Sequence, residues 1–197
     1  MPKIINSSQI KIINEIYKNP GINLRGIIEK TRLSPNYVSG YVNMLVKRGI
    51  AREEKLEKKR VYLRRFFINS NKIARNFFSL IKDEEKEVFY KKYKKLEPVL
   101  GQLSKLQGVE FILVYGSYAR FAANKDSDLD LLIVGKINKT RVREILVSLD
   151  LEVSIKIETL LEFKKRIDDS IHKQIIRDNI LIYDLGEFVD IMLGGRK

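Results

Sequence analysis

Apolar residues recur at helical spacing in the first half of the chain and at strand spacing in much of the second. From Ser8 to Asn19, Ile10, Ile13, Ile16 and Tyr17 share one face, and Asn19-Pro20-Gly21 ends the helix. A short second helix carries Leu24, Ile27 and Ile28. Ser34-Pro35 then reads as N-cap and first helical position of a third, with Val38, Val42, Leu45 and Val46 inward and Gly49 as its stop. Two extended runs, Ile50 to Lys55 and Val61 to Ile68, flank a charged tip and predict a hairpin. Between residues 71 and 108, Ile73, Phe77, Leu80 and Ile81 form a helical stripe. Phe89, Tyr93, Leu96, Leu100 and Leu103 continue it, with Pro98 as an N1 proline or a kink.

Beyond residue 108 the period changes. Val109 to Tyr115 is an apolar strand ending at Gly116-Ser117, and Asp128 to Val134 alternates, so Asp128 and Asp130 share one face while Leu129, Leu131 and Ile133 share the other. Asn138 to Leu149 predicts a helix and Leu151 to Ile157 a strand that sets Glu152, Ser154, Lys156 and Glu158 on one face. Thr159 caps a helix to about Ser170, a further helix runs to about Asp178, and Ile180 to Tyr183 is extended. The expected class is mixed α+β in three parts: residues 1–70, a helical connector 71–108, and an α/β domain 109–197.

Charge sharpens this division. The formal charge is +13 over 197 residues, distributed as +10 (15 basic, 5 acidic) in residues 1–70, +4 (9 and 5) in 71–108 and −1 (14 and 15) in 109–197. A basic footprint confined to one end implies a polyanionic partner there. The absence of cysteine excludes disulfides, zinc ribbons and thiol nucleophiles, and one histidine, His172, argues against zinc and reads as a polar surface residue. Neither a membrane span nor a signal peptide is visible, so a cytoplasmic protein is expected.

Two carboxylates converging on one face, Asp128 and Asp130, repel unless a cation lies between them. Hard oxygen donors favour magnesium or manganese. Gly116-Ser117, where small residues let backbone amides and a hydroxyl approach an anion, precedes Asp128 by ten intervening residues. This Gly-Ser, ten residues, Asp-any-Asp pattern resembles the signature of the DNA polymerase beta superfamily, especially its small stand-alone nucleotidyltransferases. The resemblance implies Asp128 and Asp130 as metal ligands, Gly116 and Ser117 at the triphosphate, Arg120 or Lys125 against developing charge, and ATP as donor. It also implies a third carboxylate on a following strand. Glu152 is the candidate, completing the metal and catalytic set, although another register puts Lys156 there. Relatives carry glycine after the arginine, where this chain has Phe121.

The order helix, helix, turn, helix, hairpin in residues 1–70 resembles a winged helix-turn-helix domain. That implies duplex DNA as partner, with Asn36, Tyr37, Ser39, Asn43 and Lys47 of the third helix at base edges and Lys55, Lys58, Lys59 and Arg60 of the hairpin at phosphates. The stripe in 71–108 suits a homodimer seam, the expected assembly, with packing within the chain as the alternative. Two functions follow. One is a magnesium-dependent nucleotidyltransferase moving AMP from ATP to a hydroxyl acceptor, the acceptor being a protein in the special case of a toxin–antitoxin pair. The alternative is a DNA-binding regulator whose second domain senses nucleotide with little or no turnover.

Overall fold

A computed structural model of the chain describes residues 5–58 and 61–194. The chain divides into two compact units, residues 1–81 with 193–197 and residues 82–192, and the two boundaries fall within helices, one spanning Lys72–Lys92 and the other Glu187–Gly194.

The first unit begins with α1 (Ser7–Lys18), held by a capping box in which Asn6 and Gln9 exchange side-chain to backbone hydrogen bonds of 2.9 Å each. β1 (Ile22–Asn23) follows, a two-residue strand that the periodicity does not signal. Asn23 caps α2 (Leu24–Thr31), and α3 (Pro35–Lys47) starts after Ser34, which occupies the N-cap position without a side-chain bond. β2 (Ala51–Lys58) and β3 (Val61–Ile68) pair antiparallel in the predicted hairpin, and β1 adds to β3, giving the order β1-β3-β2. Ile12, Ile13, Ile16, Ile27, Val38, Val42, Leu45 and Phe66 are buried in this unit, and Tyr17 packs on Phe78 of α4 (Lys72–Lys92) at 5.4 Å.

In the second unit a 3₁₀ turn (Lys94–Leu96) and α5 (Glu97–Leu103), which has Pro98 in its first turn, lead to β4 (Val109–Tyr115) and the one-turn α6 (Gly116–Ala119). Next come β5 (Leu129–Gly135), α7 (Lys139–Leu146), β6 (Val153–Glu158), α8 (Leu160–Lys165), α9 (Ser170–Arg177), β7 (Ile180–Asp184) and α10 (Glu187–Gly194). α10 lies beyond the last element that the pattern predicts; the Asp184 carboxylate caps it by accepting from the backbone of Phe188 and Val189. The sheet order is β6-β5-β4-β7, with β5 and β6 parallel and the other pairs antiparallel.

Phe89, Leu96, Leu100 and Leu103 are buried in the core of this unit with Ile112, Val114, Leu129, Leu131 and Ile133. The stripe read as half a dimer seam is therefore spent, from Phe89 onward, on covering one face of the unit's own sheet. On the opposite face Phe111 meets Phe163 and Phe188, each at 5.1 Å. With both faces covered, Phe111 to Val114 of β4 and Leu131 to Val134 of β5 form continuous buried apolar runs.

Candidate active site and nucleic-acid interface

The site forms where β4 ends and β5 begins, beside α6. Tyr115 and Asp130 are opposite each other in the ladder, and Gly116 follows immediately at φ +69°. Glycine is required there twice over: the backbone is left-handed, and a Cβ would collide with the Asp130 carboxylate. The motif's glycine thus brings the main chain against the second aspartate.

The turn after Gly116 closes as a Schellman motif. Phe121 N–H donates to the Tyr118 carbonyl (3.0 Å) and Ala122 N–H to the Ser117 carbonyl (2.9 Å). Phe121 occupies its left-handed position at φ +57°, so the chain keeps the glycine-type conformation without the glycine. Surrounding contacts hold this strained residue. Its ring stacks on Tyr93 at 6.2 Å and meets Phe89 edge-on at 6.4 Å, while Lys92 Nζ donates to its carbonyl at 2.7 Å and lies 5.6 Å from its ring centroid.

A cleft of about 220 Å³ opens on this corner. Tyr115, Gly116, Arg120 and Asp130 form one wall, and Ile171, Gln174, Ile175 and Asp178 of α9 and its C-cap form the other. The α9 wall has no signal in the sequence motif; its only hint is the amphipathic spacing of Ile171, Ile175 and Asp178. Ile171 remains 58% exposed at the mouth. Ser117 is half-buried and Asp128 exposed beside the cleft. Lys125 is exposed at the tip of a loop that Asn124 ties together by accepting from Asp126 N–H and the Ser127 hydroxyl, and it does not line the cleft.

Burial first, and then the neighbouring Asp128 charge, push the Asp130 carboxyl above its ordinary value, with Arg120 pulling partly the other way. Burial and the charges of Asp130 and Glu158 raise the Tyr115 phenol. The two aspartates fit a hard divalent cation, which would relieve their repulsion, and no imidazole or thiolate competes. Among the described residues no three acidic, imidazole or thiol groups gather to hold a metal, so the structure does not bring Glu152 to the aspartates as a third ligand. Glu152 precedes β6, is exposed, and meets β5 through its carbonyl, which accepts from Leu129 N–H at 2.8 Å. Ser154 stands opposite Asp130, and Lys156 opposite Leu132.

Further along β6 the charges are closed. Glu158, 4% exposed, accepts from Lys156 and Arg166 at 3.0 Å each and lies 2.9 Å from His172 Nε2. Burial alone would raise this carboxyl, but the bonds from His172 and Lys156 outweigh it and hold it below the usual carboxylate range. His172 is 1% exposed, not a surface residue, because α9 turns it beneath the sheet onto Glu158 and the edge of Phe163.

In the first unit α3 buries Val38, Tyr41, Val42 and Leu45 and leaves Asn36, Tyr37, Asn43 and Lys47 exposed; Ser39 is half-buried. Lys55 is exposed on β2. The Lys58 side chain and residues Lys59 and Arg60, expected at phosphates, lie outside the described residues. Tyr37 stacks on Tyr41 at 6.5 Å, and its hydroxyl is 3.3 Å from Asn6 Oδ1.

Residues 94–187 match the sequence family described as Polymerase beta, Nucleotidyltransferase, and residues 5–52 match the family of winged helix-turn-helix DNA-binding domains. A relative from Methanocaldococcus jannaschii, provisionally named a protein adenylyltransferase, is 32% identical over 85 residues, which cover 41% of this chain and 85% of the relative. A crystal structure titled as a toxin–antitoxin with AMP-PNP aligns at 13% identity with a TM-score of 0.38, over 50% of this chain and 82% of that one.

Proposed function

Because the chain belongs to the polymerase beta nucleotidyltransferase family and carries a winged helix-turn-helix ahead of that domain, we propose that it transfers AMP from ATP to a hydroxyl of an acceptor and binds duplex DNA through its first unit. The approach of Gly116 to the Asp130 carboxylate carries the reading, since it puts main chain beside an acid with a raised carboxyl at the wall of a cleft.

In this reading the Gly116 backbone and the Ser117 hydroxyl hold the triphosphate, and Arg120 offsets the negative charge that builds as pyrophosphate leaves. Asp128 and Asp130 would hold a magnesium or manganese ion, which would supply charge neutralisation at the reacting phosphate. The acceptor oxygen forms a bond to the α-phosphorus, the bond to the pyrophosphate oxygen breaks, and the acceptor's proton passes to solvent or a nearby carboxylate. A protein acceptor is in line with the name of the M. jannaschii relative.

ATP labelled at the α-phosphate, offered with magnesium and a protein extract, tests this. Label should enter protein from the α-position and not from the γ-position, and Asp130→Asn should abolish it; label from the γ-position, or none, would overturn the reading. One observation favours the second reading, a nucleotide-sensing regulator. No third acid joins the aspartates among the described residues. Retained magnesium-dependent ATP binding without transfer to any acceptor would decide for the sensor.

A further inference from the structure

We infer that the outer edge of β6 and the groove beside α7 dock an extended acidic segment of a partner protein, which adds a strand to the four-stranded sheet.

β6 is the outer strand in the order β6-β5-β4-β7, and its pairing with β5 runs from Val153 to Glu158 without a bulge. Leu129 N–H donates to the Glu152 carbonyl, which sets the phase of the parallel ladder. The main chain of Glu152, Ser154 and Lys156 therefore turns to β5, and that of Val153, Ile155 and Ile157 turns away from it. Among the described residues nothing bonds these outward N–H and C=O groups. Such an edge, six residues long and without proline, is a template for another strand. Its one lysine does not guard it, because Lys156 is held by Glu158 on the face away from α7.

The side chains of Val153, Ile155 and Ile157 are half-buried on the α7 face, and with Lys139 and Arg143 of α7 they line a groove of about 350 Å³. Lys139 and Arg143 are exposed and have no acidic partner among the described residues, whereas Arg141 between them is tied to Glu144 at 2.7 Å. Four residues along a helix span about 6 Å, and alternate side chains along a strand are about 6.6 Å apart. Acids at two alternate positions of an added strand thus match the two cations, while its main chain bonds the β6 edge and its stems cover the apolar floor. A second copy of this chain is the wrong occupant. Two β6 edges paired about a two-fold axis would bring together the Lys139 and Arg143 of both copies, with Glu158 on the opposite face of each sheet.

Display selection with random octapeptides tests this. The bait is the whole chain, with counter-selection against Lys139→Glu/Arg143→Glu to remove peptides held by the basic first unit; both side chains are exposed, so that variant keeps its fold. Surviving peptides should carry acids two residues apart, and methylating their alternate amides should weaken them by roughly tenfold or more, since main-chain bonds supply the affinity. Hydrogen exchange followed by NMR should show the amides of Val153, Ile155 and Ile157 open in the chain alone and slowed by roughly tenfold or more with peptide, and those of Ser154 and Lys156 protected throughout. Ile155→Pro removes an outward N–H and no bond to β5, so it should abolish capture; Val153→Pro, at the first residue of the strand, does the same if Ile155→Pro unfolds. No survivors, survivors without paired acids, or survivors indifferent to amide methylation would overturn the inference. So would outward amides that are protected in the chain alone, or that become protected as its concentration rises, as a second copy on the edge would make them. Asp130 points to the other face of the sheet, so the result holds whether or not AMP is transferred.

Discussion

β5 and β6 run parallel, side by side, and each aims acids at the same face of the sheet, yet the two strands treat those acids in opposite ways. Asp130 on β5 shares its corner with Asp128 and an open cleft, and its carboxyl is pushed up. Glu158 on β6, paired in the ladder with Val134, is surrounded by Lys156, Arg166 and His172 and is held down. A fold gains nothing from leaving like charges together, whereas a buried acid with three partners serves the fold. In the function proposed above, the raised acid serves chemistry; the satisfied one serves the architecture.

The strongest way to break this comparison is to exchange the expected consequences. Asp128→Asn and Asp130→Asn should each reduce label transfer by roughly three orders of magnitude, the scale of the charge stabilisation a metal site supplies. Urea denaturation should meanwhile show unchanged or raised stability. Glu158→Gln should do the reverse: it leaves His172, Lys156 and Arg166 facing a neutral amide and should cost about 2–3 kcal/mol of stability, discounted for the exposure of the lysine and arginine. Transfer per folded molecule should survive. If Glu158→Gln stopped transfer without a loss of stability, the division of roles between the strands would fail.

A smaller effect concerns the turn that brings the main chain to Asp130. Both Phe121→Ala and Phe121→Gly lose the ring contacts with Tyr93 and Phe89, but only glycine relieves the left-handed backbone. Phe121→Gly should therefore be more stable than Phe121→Ala by about 1 kcal/mol, the reverse of their order in a helix interior. Thermal unfolding of the two variants measures the difference.

The smallest effects are in pH dependence, and they differ in sign. A carboxyl raised in the folded state, as at Asp130, binds more protons folded than unfolded, so its contribution to stability falls as pH rises from the ordinary value of 3.8 through the raised one. The lowered carboxyl of Glu158 contributes stability that is present above its ordinary value of 4.5 and lost as pH falls through the depressed value. With chelator present, subtracting the stability-against-pH curve of Asp130→Asn from that of wild type should leave a descending step. The same subtraction with Glu158→Gln should leave a rising one.

Much of this architecture was legible along the chain, because apolar period and turn chemistry are local. The spacing of Ile10, Ile13 and Ile16, the Ser34-Pro35 start, the hairpin and the alternation around Asp128 and Asp130 each state their element without help from elsewhere. The Gly116-Ser117 to Asp128 spacing likewise pointed to the corner where Gly116 lies against Asp130 at the cleft, since a glycine that must approach a carboxylate has few substitutes. Other features depend on partners distant in sequence. β1 is two residues long and exists because β3 offers it a ladder. His172 looked like a surface residue until α9 carried it onto Glu158, and the α9 wall of the cleft carries no motif at all. Phe89, Leu96, Leu100 and Leu103 showed a stripe but not its destination, because periodicity specifies that a face is buried and not what buries it. The residue types at the site were determined by the sequence. Which acid is left uncompensated and which is neutralised was decided by tertiary structure, because compensation depends on distance, and distances between β5, β6 and α9 exist only once the sheet has assembled.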